Sequence, residues 1–581
     1  MDSDDKENNP DTIDTDFPMD NKLGRLLKVV VNEVNTYASD QIRHIQKLSE
    51  IGMALSVEKD INRLFEMIVD EARNFCKAEA GTLYIVDKEN QTLKFEILQN
   101  EVLKIRMSRA GIDSITLPDV PLFINGKPNH SNVSSYVALT GKAVSIPDIY
   151  CIKDIGNIKG LDFSGTKKYD KKTGYHTRSM LVIPMRNHEE DIIGVLQLIN
   201  AKDEETGQII PFSKQYVDTI SSLASQAAVA LTNAQLIQEL KILFYSFIQS
   251  IATAIDEKSA YTGGHISRVV DLTMMLAEAV NTCDRHPFKQ IHLNEDEMEE
   301  LRIAAWMHDV GKITTPEYVV DKSTKLETIF DRLHLVETRF ALIKESIRYD
   351  YLNRKFKMAT EGLIDTHEFE ILDQCCADEI EQLQNDFEFI RSCNQTGDLM
   401  SDENIARIKA IGSRTYLSDG KKTPRLSENE QYNLCVRKGS LTDEERKIIE
   451  NHAKMTLNIT SCLPFPKRLA RVPEYAASHH EKIDGSGYPN GYGGEMLPLQ
   501  SRILAIADIF EALTARDRPY KTPMSLSQAI KILGFMKKDK HIDPDIFDLF
   551  TDSGTHLKYA KKEMTPEQID MAAPADNSVK R

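Results

Sequence analysis

No run of about eighteen apolar residues occurs anywhere in the chain, so no membrane-spanning helix and no membrane insertion are expected. There is also no CxxC pair. Cys76, Cys151, Cys283, Cys375, Cys376, Cys393, Cys435 and Cys462 are dispersed, which reads as reduced thiols of a cytoplasmic protein and excludes a disulfide framework. Basic residues are in deficit, 72 Lys and Arg against 89 Asp and Glu, for a formal net charge of −17. That balance argues against binding a nucleic-acid polymer, while leaving room for a local basic pocket that holds an anion. The opening stretch MDSDDKENNPDTIDTDF lacks an apolar signal core, so export is not expected. Residues 1–22 read as a disordered acidic tail, and 552–581 as a second disordered end. The chain has 581 residues, 41% hydrophobic and 28% charged, which fits a soluble protein of several domains.

A helical pattern over 23–55 places Leu26, Val30, Val34, Ile42, Ile45 and Leu48 on recurring faces. Beyond it the texture changes. The helix INRLFEMIVDEARNFC leads into GTLYIVDKENQTLKFEIL, two β-rich runs around the turn signal Lys88-Glu89-Asn90. Later come SYVALTGKAVSIPDI and SMLVIPMRNHEEDIIGVLQLIN, a second hairpin turning near His188-Glu189. A central antiparallel sheet flanked by helices accounts for this order, an α+β domain. On the paired strands SMLVIPM and IIGVLQLINAK, the preceding ALTGKAVSIPDI and the helix after FSKQYVDTI, residues 42–235 resemble a GAF domain. The resemblance implies a sensor that holds a small molecule between sheet and helices. Asn200, Lys202 and Phe212 echo part of the cyclic-nucleotide-binding signature of some members, but Gln215-Tyr216-Val217-Asp218 replaces its acidic pair. A ligand-free dimerisation and relay scaffold therefore stays open beside the ligand-binding reading.

Residues 213–260 hold neither proline nor glycine, and Ile220, Leu223, Ala227, Leu231, Leu240, Leu243, Phe247 and Ile251 recur at three- and four-residue steps. One long connecting helix is expected, pairing with a second copy as a parallel coiled coil in a homodimer. An amphipathic helix packed on its own domain is the alternative.

Downstream, metal-ligating side chains stand in a recurrent pattern. His265 lies in YTGGHISRV, His308-Asp309 in WMHDVGK, His452 in ENHAKM, His479-His480 in HHEKIDGSGYP, and Asp508 in AIADIFEAL. Imidazole suits transition metals and a carboxylate can bridge two of them. Such sites typically hydrolyse phosphate esters. Asp309 and Asp508 fall in apolar helical text, where an uncompensated carboxylate carries a large desolvation cost that coordination offsets. If helical, His479 and His480 point about 100° apart, which suits two metals better than one. The loop DGSGYPNGYGG is too glycine-rich for a helix.

Taken in order, YTGGHISRV, WMHDVGKITTPEYVVDK, GSLTDEERKIIENH, HHEKIDGSGYPNG, RILAIADIFEALTARDRPYK and HIDPDIF make residues 251–550 similar to an HD-GYP domain of the HD phosphohydrolases. The resemblance implies two divalent ions, iron or manganese, on His265, His308, Asp309, His452, His479, His480 and Asp508, with Asp309 bridging. A third ion is left open, since Tyr261 stands where an extra carboxylate would be, with Asp256 and Glu257 further back. Water activated by the ions would attack phosphorus in line with the departing ribose oxygen, and Lys312 would neutralise developing charge. Gly487, Tyr488, Pro489, Arg518 and Lys521 would hold the substrate. That substrate is cyclic di-GMP, opened to linear pGpG and sometimes on to GMP.

In a compact member DKSTKL would run almost directly into TDEER, but here more than a hundred residues intervene. Residues 327–436 therefore read as an insertion. Ile329, Leu333, Val336, Phe340, Ile343 and Ile347, then Cys376, Ile380, Leu383, Phe387 and Ile390, predict an antiparallel helical hairpin. Partner docking, dimer contact, a lid and a tolerated extension all remain open for it. The segment SDGKKTPRLSENEQ reads as a loop. The expected architecture is an α+β GAF-like domain joined by a long helix to an all-α HD domain with a helical-hairpin insertion. Its expected activity is a sensor-regulated cyclic di-GMP phosphodiesterase. A phosphohydrolase for another cyclic dinucleotide or nucleotide, and a catalytically weak interaction module, are the competing readings.

Overall fold

A computed structural model describes residues 22–571 apart from 59, 110–114, 116, 152–160, 162, 259–262, 364, 397–398, 419 and 517–522. The chain divides into two units, Met1–Leu243 and Phe244–Arg581.

The first unit opens with α1 (Lys22–Val57) and α2 (Ile61–Cys76). The Asp60 carboxylate accepts from the Asn62 amide at α2's start, and Lys77 in the left-handed conformation ends it. Strands β1 (Ala80–Asp87), β2 (Thr92–Asn100), β3 (Ile105–Ser108) and β4 (Val120–Pro121) follow, then the short pair β5 (Phe123–Ile124) and β6 (Lys127–Pro128). Next come α3 (Val133–Thr140), β7 (Val144–Ile146), α4 (Ser164–Thr173), β8 (Met180–Arg186), β9 (Ile192–Ile199) and the pair β10 (Ala201–Lys202) and β11 (Ile209–Ile210). The antiparallel sheet runs β3-β2-β1-β9-β8-β7, with β4 beside β2. Pairing passes from Leu83–Ile97 to Tyr84–Phe95, so Glu96 is an extra residue and the strand bulges there. The bulge changes the face that β2 presents. Leu83 and Ile97 pack with Leu64, Ile68 and Leu223, whereas Tyr84 and Phe95 pack with Val133 and Val137. On this second face lies a cavity of about 270 Å³ lined by Thr82, Tyr84, Tyr169, Tyr175, Thr177 and Gln197 among others.

Asn200 locks the sheet's end. Fully buried, it donates to Glu79 Oε2 at 2.8 Å, Tyr175 OH at 3.0 Å and the His176 carbonyl at 2.9 Å, and accepts from the amides of Arg178 and Ser179. Lys202 Nζ lies 3.2 Å from Glu79 Oε1. The acidic partner of this Asn-Lys pair thus comes from the residue before β1, not from the helix after Phe212.

Helix α5 (Lys214–Asp256) buries Ile220, Leu223, Ala227 and Leu231 in the first unit, and its last turns bring Ile248, Ala252 and Ile255 into the core of the second. The second unit's helices are α6 (His265–Thr282), α7 (Glu295–Met307), α8 (Glu317–Val320), α9 (Leu333–Thr360), α10 (Thr366–Asn394) and α11 (Asp402–Ser413). After the hairpin β12 (Thr415–Ser418) and β13 (Lys421–Pro424) come α12 (Glu428–Leu434), α13 (Asp443–Ser461), α14 (Val472–Ala477), α15 (Leu499–Thr514), α16 (Leu526–Lys538), α17 (Pro544–Asp552) and α18 (Thr555–Glu563). Capping boxes fix where α7, α12, α13 and α16 begin, through Asn294/Glu297, Ser427/Glu430, Thr442/Glu445 and Ser525/Gln528. Two separate apolar cores result. Leu272, Leu276, Ile303, Tyr475, Ile503 and Phe510 belong to the one built from the helices that carry or adjoin His265, His308, His479 and Asp508. Val336, Phe340, Ile343, Leu383, Phe387 and Leu434 belong to the other, which ties α9, α10 and α12 together.

Two expectations are overturned. SDGKKTPRLSENEQ is not a loop: Ser418 pairs with Lys421 in a tight hairpin, and the Ser427–Glu430 capping box starts a helix. The stretch from 552 onward is not disordered through its length, because α18 buries His556, Leu557, Tyr559 and Ala560 in the unit's core. Residues 1–21 and 572–581 lie outside the described residues.

Candidate metal centre

Helix α7 is apolar to its end, and the chain leaves it at His308 and Asp309 into the 3-10 turn Val310–Thr314. That turn presses directly on α13. Any Cβ at Gly311 would stand 1.9 Å from the His452 carbonyl oxygen and 2.6 Å from the Thr456 amide, so only glycine fits. The Gly311 amide donates to Thr456 Oγ1 at 3.0 Å, and that hydroxyl donates to the His308 carbonyl at 2.9 Å. Turn and helix are thus riveted together, with Asp309 on one side and His452 on the other.

Five imidazoles and two carboxylates converge there. Asp309 Oδ2 lies 3.4 Å from His308 Nε2 and 3.6 Å from His265 Nε2, while its Oδ1 lies 3.4 Å from His452 Nε2. Asp508 Oδ1, from α15, is 3.4 Å from His265 Nε2 and 3.8 Å from His308 Nε2. Potential ligand atoms within 4.8 Å of one another form two sets, His265/His308/Asp309 and His452/His479/His480. The two oxygens of Asp309 face different sets. His479 and His480 follow α14 in a turn rather than continuing a helix, and the donor atoms of both converge with that of His452. The helical 100° offset expected between the two rings is therefore not the arrangement found.

The hydrogen bonds behind the rings decide which nitrogen faces inward. His308, His452 and His479 each direct Nδ1 at the carbonyl three residues earlier, on Ala305, Ile449 and Ala476. A carbonyl only accepts, so Nδ1 carries the proton and Nε2 offers a lone pair. Those three Nε2 atoms and Asp309 Oδ1 are buried with no hydrogen-bond partner. Leaving such atoms unmet costs on the order of 1–3 kcal/mol each. Metal coordination would satisfy all four, so the donor set fits metal ions.

Electrostatics keep the ligating forms of the two carboxylates and of His452, His479 and His480, whereas burial of His265 and His308 is outweighed by Glu511 and by Asp309 respectively, which raise those two rings. Burial raises the Asp309 and Asp508 carboxyls, but Lys312 and His308 beside Asp309, and His265 and His308 beside Asp508, outweigh it and hold both well below the usual range. Burial pushes His480 down to about 3 and holds His479 far below its ordinary value, so both rings stay neutral. Lys312 Nζ sits 2.6 Å from Asp309 Oδ2.

Two further groups, which the sequence reading did not single out, organise the site. Glu511, fully buried one turn beyond Asp508, accepts from His265 Nδ1 and, at 2.7 Å, from Arg268 Nε. Its signal was a second acid three residues after the first in apolar helical text. Glu481 holds the loop that follows the histidine pair, its carboxylate accepting from the amides of Asn490, Gly491 and Tyr492. Within that loop a Cβ on Gly487 would stand 2.5 Å from Glu481 Cα, and the Tyr488 ring lies 4.8 Å from that of His480. Gly487, Tyr488 and Pro489 therefore border the histidine cluster. Arg518 and Lys521 lie outside the described residues, as does Tyr261.

Residues 60–231 match the GAF domain family, and residues 262–384 and 428–546 match HD domain families. Over 111 residues the chain is 41% identical to the 3'3'-cGAMP-specific phosphodiesterase 3 of Vibrio cholerae, covering 19% of this chain and 23% of that protein. It is 38% identical over 153 residues to a probable cyclic di-GMP phosphodiesterase of the same organism, covering 24% and 34%. It is 34% identical over 116 residues to the cyclic di-GMP phosphodiesterase response regulator RpfG of Xanthomonas campestris, covering 20% and 30%. The chain thus spans about a third or less of the length of these curated relatives. It consists of a GAF domain followed by a helical HD domain.

Proposed function

We propose that this chain is a metal-dependent phosphodiesterase that hydrolyses cyclic di-GMP to pGpG under the control of its GAF domain. One observation carries the reading: three imidazole Nε2 atoms and a carboxylate oxygen meet, buried and unpartnered, around Asp309. Divalent cations satisfy acceptors of that kind together. Two divalent ions, iron or manganese, would supply Lewis acidity and lower the pKa of water beside the scissile phosphorus. His265, His308, His452, His479, His480 and Asp508 would hold them, with Asp309 shared between the two. Lys312 would neutralise charge on the phosphate, Tyr488 and the backbone around Gly487 and Pro489 would receive the nucleotide, and Arg518 and Lys521 would grip its phosphates.

The GAF domain would act as a cytoplasmic sensor with a small molecule in its 270 Å³ cavity. Its state would pass along α5, whose exposed Leu236, Leu240, Leu243 and Phe247 would pair with a second copy. Among the described residues no helix is long and apolar enough to cross a membrane. Residues 327–436 would be an insertion between the two halves of the HD domain. Cyclic GMP-AMP as substrate is the second reading, favoured by the name of the 41% identical relative.

The test is hydrolysis by the full chain, loaded anaerobically with Fe(II) or Mn(II), of a cyclic-dinucleotide panel. Formation of pGpG, lost in Asp309→Ala, is the expected result. Turnover of cyclic GMP-AMP alone moves the assignment to the second reading, and undiminished activity in Asp309→Ala overturns the metal mechanism.

A further inference from the structure

Near their base, α9 and α10 close over Val336, Phe340, Ile343, Leu383, Phe387 and Ile390. Past that base the core ends. From Arg348 to Gln382 no described residue is buried, and only half-buried side chains such as Tyr351, Cys376 and Ile380 fill the seam. Lys355 beside Phe369 and Asp373 marks the antiparallel pairing out to that distance. A two-helix arm of this length gains little from such a seam, because helices in water draw most of their stability from an apolar face covered by another element.

A second apolar row runs along α9, on positions the seam does not use. Leu335, Leu342, Tyr349 and Phe356 recur at steps of seven, with Leu352 beside the last two. Leu342, Tyr349 and Phe356 are 56%, 63% and 69% exposed. Single exposed apolar residues are ordinary, but a row at heptad spacing matches the seam of a helix bundle, and no helix covers it among the described residues.

Charge identifies what covers it. Between Lys344 and Lys357, α9 carries Lys344, Arg348, Arg354, Lys355 and Lys357 against only Glu345 and Asp350. Between Glu368 and Glu381, α10 carries six carboxylates and neither Lys nor Arg. One arm therefore presents a basic, apolar helix next to an acidic one. Two such arms related by a two-fold axis match reciprocally, each α9 lying on the other copy's α10.

We propose that the outer halves of the α9–α10 hairpins of two copies of this chain pair into a four-helix bundle, with Leu342, Tyr349 and Phe356 at its seam. This does not rest on the metal reading, and an inactive protein with a paired arm would leave it standing. Hydrogen–deuterium exchange on the full chain tests it across a roughly hundredfold dilution, which shifts self-association by mass action. The amides of 348–382 should be protected at high concentration. They should exchange about tenfold faster on dilution, and also in the combined Leu342→Glu, Tyr349→Glu, Phe356→Glu variant. These side chains already meet solvent, so the melting of the remaining HD domain should not change. Arg348→Glu with Arg354→Glu should likewise loosen the arm, and adding Glu370→Lys and Asp378→Lys should restore protection. Exchange independent of both dilution and substitution overturns the proposal, as does protection that appears only when a different protein is added. Failure of the charge exchange to restore protection overturns the α9-on-α10 pairing.

Discussion

Replacing Gly311 with alanine adds one methyl group, yet it should disable a site whose ligands it never touches. The new Cβ would meet the His452 carbonyl oxygen at 1.9 Å and the Thr456 amide nitrogen at 2.6 Å. Both are backbone atoms, so no rotamer change relieves the clash, and the 3-10 turn must retreat from α13 by about an ångström or more. Overfilling a tight contact costs about 1–3 kcal/mol. Losing the Gly311–Thr456 hydrogen bond adds about 0.5–1.5 kcal/mol. The sum, about 2–4 kcal/mol, leaves the domain folded but lowers its melting temperature by about 3–6 °C. The same retreat draws Asp309 Oδ1 away from His452 Nε2, which lies 3.4 Å from it, and so separates the two halves of the donor set. Misplacement of about an ångström in a catalytic constellation costs on the order of a hundredfold in rate. Calorimetry of the full chain, with metal content by mass spectrometry on the same sample, should show both losses together. Gly534→Ala is the matched control. It lies inside α16 with no atom within 4 Å of an added Cβ, and should stabilise by about 0.5–1 kcal/mol. A Gly311→Ala protein with wild-type melting and full metal content would refute the view that this contact sets the site's geometry.

Three other perturbations follow from the same contacts. Glu511→Ala strips His265 of the carboxylate behind its Nδ1 and leaves Arg268 without that partner. Metal affinity should fall about 10–100-fold while overall fold by circular dichroism persists; unchanged metal titration would remove Glu511 from the site's support. Asn200→Ala leaves several buried partners unmet and puts alanine at φ 57, so the GAF melting transition should drop by about 3–5 kcal/mol, with the HD transition unmoved. In α18, burial holds the His556 imidazole below its ordinary value although its Nδ1 donates to the Phe550 carbonyl. The unfolded chain therefore binds the proton first as pH falls, so this contribution is complete above the unfolded value near 6.5 and is lost below it. His556→Gln should flatten the fall in melting temperature between about pH 7 and pH 5; an unaltered slope would show that His556 does not titrate on unfolding.

The parts of this molecule legible in the sequence are those where chemistry restricts residue type. Metal ligation draws on a short list of residue types, His, Asp, Glu and Cys, so His308-Asp309, His479-His480 and Asp508 stood out among apolar neighbours. The β-hairpins of the first unit were legible because Leu83, Ile97, Leu181 and Leu198 alternate with residues of the other face. What was missed acts through distance or backbone. Gly311 looks like any glycine ending a helix until α13 is brought against it from more than a hundred residues away. Glu481 reads as a surface acid until three amides of its own loop close on it. The C-terminal stretch was read as a disordered end, although Leu557, Ala560 and Met564 keep three- and four-residue steps. Ser427-Glu428-Asn429-Glu430 carried a capping-box signal that polar composition concealed. These omissions share a cause: each residue's role is to hold another residue in place, and holding requires only a hydrogen bond or a missing side chain, which many residue types supply. First contacts to a cation leave a strong mark on sequence, and the supports behind them leave a weak one. Metal titration of Glu511→Ala, where only a support has changed, is for that reason the sharper probe of the centre than removal of a ligand.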